Sequence, residues 1–424
     1  MTETQPLKTP RPYYPIELSS KAFWSLNARS RERTFAALRA EAPVSWQPPV
    51  EQAWLADPED VGYWAVVRHA DIQEVSRRND IFISGNGVTF ENLPRDVNRG
   101  SQSILVMDPP DHTKVRKLIS SAFTPRQVRT IQDQIEANAK AIVDSIAGNG
   151  QAELVSQVSA VLPMRTVCEM IGVPKDEWED VVAAAELIVG WNDEDIRGGR
   201  ERGPALAEVG WYLTKLARRL ADERRGDPRD DLITALVQAE IDGERLNDVE
   251  ISSFFTLLCV AGTDTTRQTI SHGVKALTDF PEQRAWLMED YDARIGTAIE
   301  EFVRWASPVM TFKRTCVEDF ELGGQLIKAG EPVVMFYPSG NWDTEVFDHP
   351  ERLDLSRNPN PHLGFGGGGS HFCLGNQVAK SQLRALFKEL LTRLPDIEAG
   401  EPVPLAGNFI HGITSMPVTF TPEG

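Results

Sequence analysis

The segment best suited to chemistry is Phe365-Gly366-Gly367-Gly368-Gly369-Ser370-His371-Phe372-Cys373-Leu374-Gly375. Consecutive glycines let the backbone take positive φ and come close to a flat ligand. Cys373 stands where a helix is expected to begin, and the free N–H groups and dipole of a helix N-terminus stabilise a thiolate. A thiolate in a glycine loop, shielded by an aromatic side chain, is what axial ligation of haem iron requires. Other chemistries stay open on the loop alone. A phosphate cradle would want a following Lys-Ser/Thr pair, which is missing. A Cys373–His371 nucleophile and base would sit at i, i+2 in a tight loop. A flexible linker with a buried cysteine needs no ligand at all.

A second unusual run is Phe254-Phe255-Thr256-Leu257-Leu258-Cys259-Val260-Ala261-Gly262-Thr263-Asp264-Thr265-Thr266. Glycine costs a helix interior about 1 kcal/mol relative to Ala, and β-branched threonines are mediocre helix formers. Local inconsistency of this kind marks functional sites. Ala261 and Gly262 would let a ligand press against the backbone, and Asp264 with Thr265 could relay protons to it. A threonine-rich kink packed against a neighbouring helix explains the same residues. Glu301 and Arg304 share one helix face at i, i+3, either as a solvated pair or as a buried structural one. His112 and Arg116 lie at i, i+4 at a helix start, and Arg314 follows on a strand. Such donors clamp carboxylates, which Arg does in bidentate fashion.

Positioning these residues takes mostly helix. A helix is expected from Ser30 to Ala42, and Ile131, Ile135, Ala139, Ile142 and Ile146 mark an apolar helical stripe. The longest helix opens at Asn247, with Glu250 completing a capping box, and runs to about Asp279, before Pro281. Another spans about Gly375 to Leu394. Short β segments are expected near Val44–Trp46, Tyr63–Val67, Thr311–Cys316, Phe320–Leu322 and Pro332–Phe336. Residues 1 to 22 read as an irregular strap. Gly85 to Pro110 reads as a long functional loop, such as a lid or binding loop. The fold class is mainly α with a minor β region, and no βαβ alternation.

Composition limits the partners. The 424 residues carry 44 Lys plus Arg against 62 Asp plus Glu, a net charge of −18. That excludes the basic face a nucleic-acid binder needs. No run approaches the ~20 apolar residues of a membrane helix, so no integral membrane anchor is expected. Cys168, Cys259, Cys316 and Cys373 lie far apart, which fits a reducing cytoplasm rather than a disulfide framework.

In this order, Asp-Pro-Pro-x-His-x-x-x-Arg, Ala-Gly-x-Asp-Thr-Thr, Glu-x-x-Arg and the cysteine loop make the chain resemble the cytochrome P-450 superfamily of haem-thiolate monooxygenases. The resemblance implies one domain over 1–424, with a long central helix over haem b (iron protoporphyrin IX) and no fused reductase. It makes Cys373 the iron ligand and Phe365 its shield, with Gly366, Gly375 and Ala261 beside the haem. His112, Arg116, Arg314 and His371 become propionate partners, Asp264 and Thr265 the proton relay, and Glu301–Arg304 a structural pair. Leu105, Val260, Ala261, Val309, Met310 and Phe409 would line the substrate channel. Two departures stand out. Phe365 lies eight residues before Cys373, one more than usual, and Trp342 replaces a common Arg.

Within the superfamily, Asn358–Phe365 with its glycines, Val303–Val309 and Phe409–Ile413 are similar to mycobacterial hydroxylases of methyl-branched lipids. The resemblance implies hydroxylation of the terminal (omega) methyl carbon of branched fatty acids or isoprenoids, using O2 and two electrons. These would come from NAD(P)H through a ferredoxin reductase and a ferredoxin, docked at Lys114, Lys117, Lys380 and Arg384. Alternatives are a monooxygenase of a sterol or of a terpenoid secondary metabolite, a peroxygenase, or a non-catalytic haem-binding protein.

Overall fold

The computed structural model describes residues 11–51, 53, 60–91, 103–121, 125–241 and 243–424. Residues 1–10 of the expected strap and 92–102 of the expected loop lie outside that set. The part of the strap that is described is mostly irregular, and Tyr14 N donates to Trp46 O at 2.8 Å.

Ten helices position the site: α1 (Ala28–Glu41), α2 (His69–Arg77), α3 (Asp111–Ser121), α4 (Pro125–Ile146), α5 (Val161–Ile171), α6 (Trp178–Val189), α7 (Arg202–Gly226), α8 (Asp248–Asp279), α9 (Tyr291–Ala306) and α10 (Asn376–Arg393). Helix α8 begins as its sequence dictates. The Asn247 side chain accepts from the N–H of Val249 and Glu250, and Glu250 accepts the Asn247 N–H at 2.8 Å. The helix then runs unbroken through Gly262 and the threonines. Thr263, Thr265 and Thr269 donate their hydroxyls to the carbonyls of Cys259, Ala261 and Thr265, which satisfies each side chain within the helix. A Cβ on Gly262 would come within 2.7 Å of Val167 on α5, so close helix packing requires that glycine.

The predicted stripe on α4 is buried. Ile135, Ala139, Ile142 and Ile146 are each at most 2% exposed and pack with Leu383, Leu386 and Leu390 of α10 and Ile270 of α8 in the largest core cluster. A second cluster joins α5, α6 and α7 to the first half of α8.

The β region is small. Strands β1 (Val44–Gln47), β2 (Tyr63–Val66), β3 (Phe82–Ile83), β4 (Thr311–Cys316) and β5 (Pro332–Phe336) form one sheet in the order β1-β2-β5-β4-β3. Strand β5 runs parallel to β2 and antiparallel to β4, with Val333 opposite Arg314. Near the C-terminus β6 (Val403–Pro404) pairs with β7 (Ile413–Ser415), and the hairpin tip carries Asn408 and Phe409. An isolated bridge from Val309 to Ile410 ties that tip to the chain after α9.

Asp108 fastens the expected loop at its base. Its carboxylate accepts the N–H of Ser84 at 2.7 Å and of Gly85 at 2.8 Å, while its carbonyl accepts the His112 N–H at the start of α3.

Candidate active site

The cysteine loop closes on itself. Cys373 N donates to Phe365 O at 3.0 Å, and Gly366 N donates to Leu363 O at 2.8 Å. Gly366, Gly368 and Gly369 take positive φ, which a side chain would resist. The glycines divide by function. A Cβ on Gly367 would lie 2.4 Å from Ser76 Oγ, and one on Gly369 would lie 2.2 Å from Ser76 O, so these two fit the loop against α2. A Cβ on Gly375 would meet nothing within 4 Å, and one on Gly366 would come no closer than 4.0 Å to His371 O and the Phe372 Cα. Burial pushes the Cys373 thiol up, while the Gly375 N–H, Arg116 and Lys380 work against that and favour the thiolate. Phe365 is half-buried, with its ring 6.5 Å from Phe372.

Next to the loop stands a cluster of cationic and neutral donors. His112 is 1% exposed and neither ring nitrogen has a partner. Its ring lies 4.3 Å from that of His371, whose Nε2 bonds Ser84 Oγ. Arg116 donates to Phe372 O at 2.7 Å, and the buried Arg314 donates to Lys313 O. Among the described residues neither arginine has a carboxylate within ion-pair distance. Burial, then Arg314, His112 and Arg116, hold His371 down at about 3, so that ring is neutral. Burial and Arg116 likewise lower His112. Asp108 is the nearby anion that acts on His112 and Arg314, but it does not bond them, and buried donors left unbonded are costly unless an anionic ligand completes them.

On α8, Asp264 is 3% exposed and its carboxylate lies 2.5 Å from Arg267 Nη2, off the line of a hydrogen bond. Arg267 also pairs with Glu186 of α6. Burial raises the Asp264 carboxyl from an ordinary 3.8 to about 6. Arg267 opposes the rise and Glu186 adds to it. Neither Arg267 nor Glu186 stood out in the sequence. The first was visible at i+3 from Asp264, but the second sits 81 residues away with no local mark. Ala261 is exposed and Val260 half-exposed on the same stretch of helix.

Leu105, Val309 and Phe409 are also half-exposed. Met310 is 2% exposed and packs in a core cluster with Trp24, Val334 and Phe336, although its N–H donates to Phe409 O. Glu301 and Arg304 are fully buried and paired at 2.7 Å. Arg304 donates to carbonyls of Asn341 and Pro350, while Glu301 accepts from Arg357, Asn360 and the Asp354 N–H. Trp342 takes no part in that network and lies against Trp305 at 5.7 Å.

The four cations expected to dock a partner divide. Lys114 pairs with Glu244, and Lys380 pairs with Glu300. Lys117 and Arg384 are exposed, with no carboxylate in ion-pair distance among the described residues.

The family model for cytochrome P450 matches residues 207–395. The methyl-branched lipid omega-hydroxylase of Mycobacterium tuberculosis (strain H37Rv) is 42% identical over 97% of both chains. The chain belongs to the cytochrome P450 family. It is a monooxygenase, as its relatives are. The steroid C26-monooxygenase of Mycolicibacterium smegmatis is 38% identical over 92% of this chain and 90% of that protein. A Mycobacterium marinum cytochrome P450 solved in complex with pseudoionone is 61% identical, with a TM-score of 0.93 over 97% of this chain and 99% of the other.

Haem is the cofactor this family implies, and the P450 residues fit it. The orphaned nitrogens of His112 and the unpaired arginines suit two propionates. Gly366 and Gly375 leave room on the cysteine side, and exposed Ala261 leaves it on the α8 side. Among the described residues no helix is long and apolar enough to cross a membrane.

Proposed function

We propose that this P450 hydroxylates the terminal methyl carbon of a methyl-branched fatty acid or isoprenoid. The observation that carries the reading is the 61% identical chain bound to pseudoionone, an acyclic methyl-branched ketone. The 42% identity to a methyl-branched lipid omega-hydroxylase supports it. The balanced reaction joins R–CH3, O2, two electrons and two protons to give R–CH2OH and water.

In this reading one domain over 1–424 holds haem b, with Cys373 as iron ligand and Phe365 shielding the sulfur. His112, Arg116, Arg314 and His371 bind the propionates, and Ala261, Gly366 and Gly375 border the ring. Haem, when bound, supplies the activation of O2 and the one-electron redox steps. Asp264 and Thr265 handle the protons. An acid near 6 is mostly ionised at pH 7 yet readily regains its proton, the property a relay needs. Thr265 spends its own hydrogen on Ala261 O, which leaves its oxygen lone pairs as acceptors. Leu105, Val260, Ala261, Val309 and Phe409 give the substrate an apolar wall that excludes water and presents the chain end. Met310 supports Phe409 from the core side. Glu301 and Arg304 hold the segments before the cysteine loop. A primary C–H bond is harder to attack than its neighbours, so a narrow wall is the specificity device.

Electrons come from NAD(P)H through a ferredoxin reductase and a ferredoxin in the cytoplasm. Lys117 and Arg384 are the cations left free to steer an acidic carrier. Charge reversal at both lowers ferredoxin-driven turnover, and unchanged turnover sinks that surface.

A second reading, oxidation of a sterol side chain, has the 38% identical steroid C26-monooxygenase in its favour. A spin-state titration separates the two. Branched fatty acids and isoprenoids are expected to bind more tightly than straight chains or sterols. Tight binding of sterols alone overturns the first reading. Product formed with ferredoxin, its reductase and NAD(P)H, at a rate peroxide does not match, excludes a peroxygenase and an inert haem carrier.

A further inference from the structure

Behind the Phe365 ring, on the cysteine side, stands a charge that docking does not explain. Lys380 sits seven residues after Cys373 on α10, and its Nζ lies 5.2 Å from the centre of the Phe365 ring. Glu300 of α9 holds it there at 2.5 Å. The other Glu300 oxygen accepts from His362 Nε2 at 2.9 Å, and His362 Nδ1 accepts the Gly364 N–H at 3.1 Å. With Nδ1 taking the Gly364 N–H, Nε2 is the ring nitrogen that faces Glu300. The group therefore links Lys380 through Glu300 and His362 to the residue before Phe365. Phe365 O in turn accepts the Cys373 N–H.

We propose that Lys380, pinned over the Phe365 ring by Glu300 and His362, is a positioning residue that raises the reduction potential of iron bound at Cys373. The inference rests on Cys373 being the iron ligand. Adding one electron to the ferric site makes it more negative by one charge, with no bond formed or broken. A fixed cation nearby stabilises that added charge. Lys380 Nζ lies over the ring of Phe365, whose carbonyl accepts the Cys373 N–H, whereas Glu300 reaches that segment through His362 and Lys380. The cation is thus the charge set against the cysteine loop, with its counter-ion one contact further away. The Phe365 ring accepts the ammonium on its face, which holds the charge in place.

The experiment is a potentiometric titration of the haem-loaded enzyme, reduced by dithionite with mediator dyes, for wild type, Lys380→Met, Lys380→Arg and Glu300→Gln. Lys380→Met is expected to shift the one-electron equilibrium three- to tenfold toward the ferric form, tenfold being 59 mV. Lys380→Arg restores the wild-type potential, and Glu300→Gln, which keeps the cation but removes its counter-ion, raises it. An unchanged potential in Lys380→Met, with only a higher KM for ferredoxin, overturns the proposal and makes Lys380 a docking residue. Equal falls in Lys380→Met and Glu300→Gln overturn it too, because a merely structural pair loses the same thing from either side. The carbon monoxide complex of each reduced variant is read in parallel. Loss of the thiolate Soret band in Lys380→Met alone makes the lysine structural and overturns the proposal. Absence of that band in wild type instead removes the Cys373 assignment itself, and the inference falls with it.

Discussion

Glu301–Arg304 on α9 and Asp264–Arg267 on α8 are both carboxylate–arginine pairs at i, i+3, and both are buried. They differ in how completely their neighbours satisfy them. Glu301 accepts from two further side chains and a backbone N–H, and Arg304 donates to carbonyls, so each polar atom has a use. The Asp264 carboxylate has only Arg267 Nη2 and Gln268 beside it, neither in good hydrogen-bond geometry, and Arg267 Nε has no partner. A satisfied pair is rigid and inert, while an unsatisfied acid keeps a proton poised to leave. On the proposed reading, the number of hydrogen bonds, rather than spacing or residue type, separates the structural pair from the acid that handles protons.

The largest effect expected comes from breaking the satisfied pair. Arg304→Ala leaves Glu301 as an uncompensated buried charge, which costs about 3–5 kcal/mol. Urea unfolding of the haem-loaded protein measures it, and a loss below about 1 kcal/mol would mean the two pairs do not differ as described. Asp264→Asn is expected to do the reverse. Turnover falls about 10²-fold or more, the usual contribution of a positioned acid, while the unfolding midpoint at pH 7 does not fall. A variant that unfolds easily yet keeps its rate per folded molecule would reverse the two roles.

The third effect is a pH dependence whose sign follows from the raised carboxyl. Folded Asp264 keeps its proton up to about pH 6, whereas the unfolded chain loses it near 3.8. Between those values the native state binds more protons, so its stability falls as pH rises from about 4 to about 6 and then levels. Two pKa units correspond to about 3 kcal/mol. Urea titrations at intervals across that range should show the fall in wild type and not in Asp264→Asn. The smallest effect is at Glu186. Glu186→Gln removes an anion that raises Asp264 and leaves Arg267 to that acid alone, so the carboxyl falls toward its ordinary value. Each unit it falls cuts the protonated fraction at pH 7 about tenfold. A severalfold loss of turnover, with its pH profile displaced to lower pH, is the expected result.

Much of this was readable from local pattern. The capping box at Asn247 placed the start of α8, the stripe at Ile131 to Ile146 marked the core face of α4, and the runs after residue 310 were strands. These features are encoded within a few residues, where helix period and strand alternation leave a mark. What could not be read depends on packing between distant segments. Glu186 reaches Arg267 only because α6 lies on α8. Gly367 and Gly369, expected to make way for a ligand, instead make way for Ser76. Lys380, expected to wait on the surface for a partner, is engaged by Glu300. The spacing of Glu301 and Arg304 was plain in the sequence, but their satisfaction draws on residues 341 to 360 and appears only in the fold.

Asp108 has a consequence for how such a chain can diversify. It knots residues 84 and 85 to a point three residues before α3 across a separation of up to 24 positions. Doubling the length of a loop closed at its base costs only about 0.6 kcal/mol in chain entropy. Val88, Phe90, Glu91 and Ile104 within that span are buried, however, so they are held as firmly as its ends. Asp108 is therefore a clip that fixes the register of the chain entering α3, and on the proposed reading it keeps His112 and Arg116 in place whatever the exposed positions of the span become.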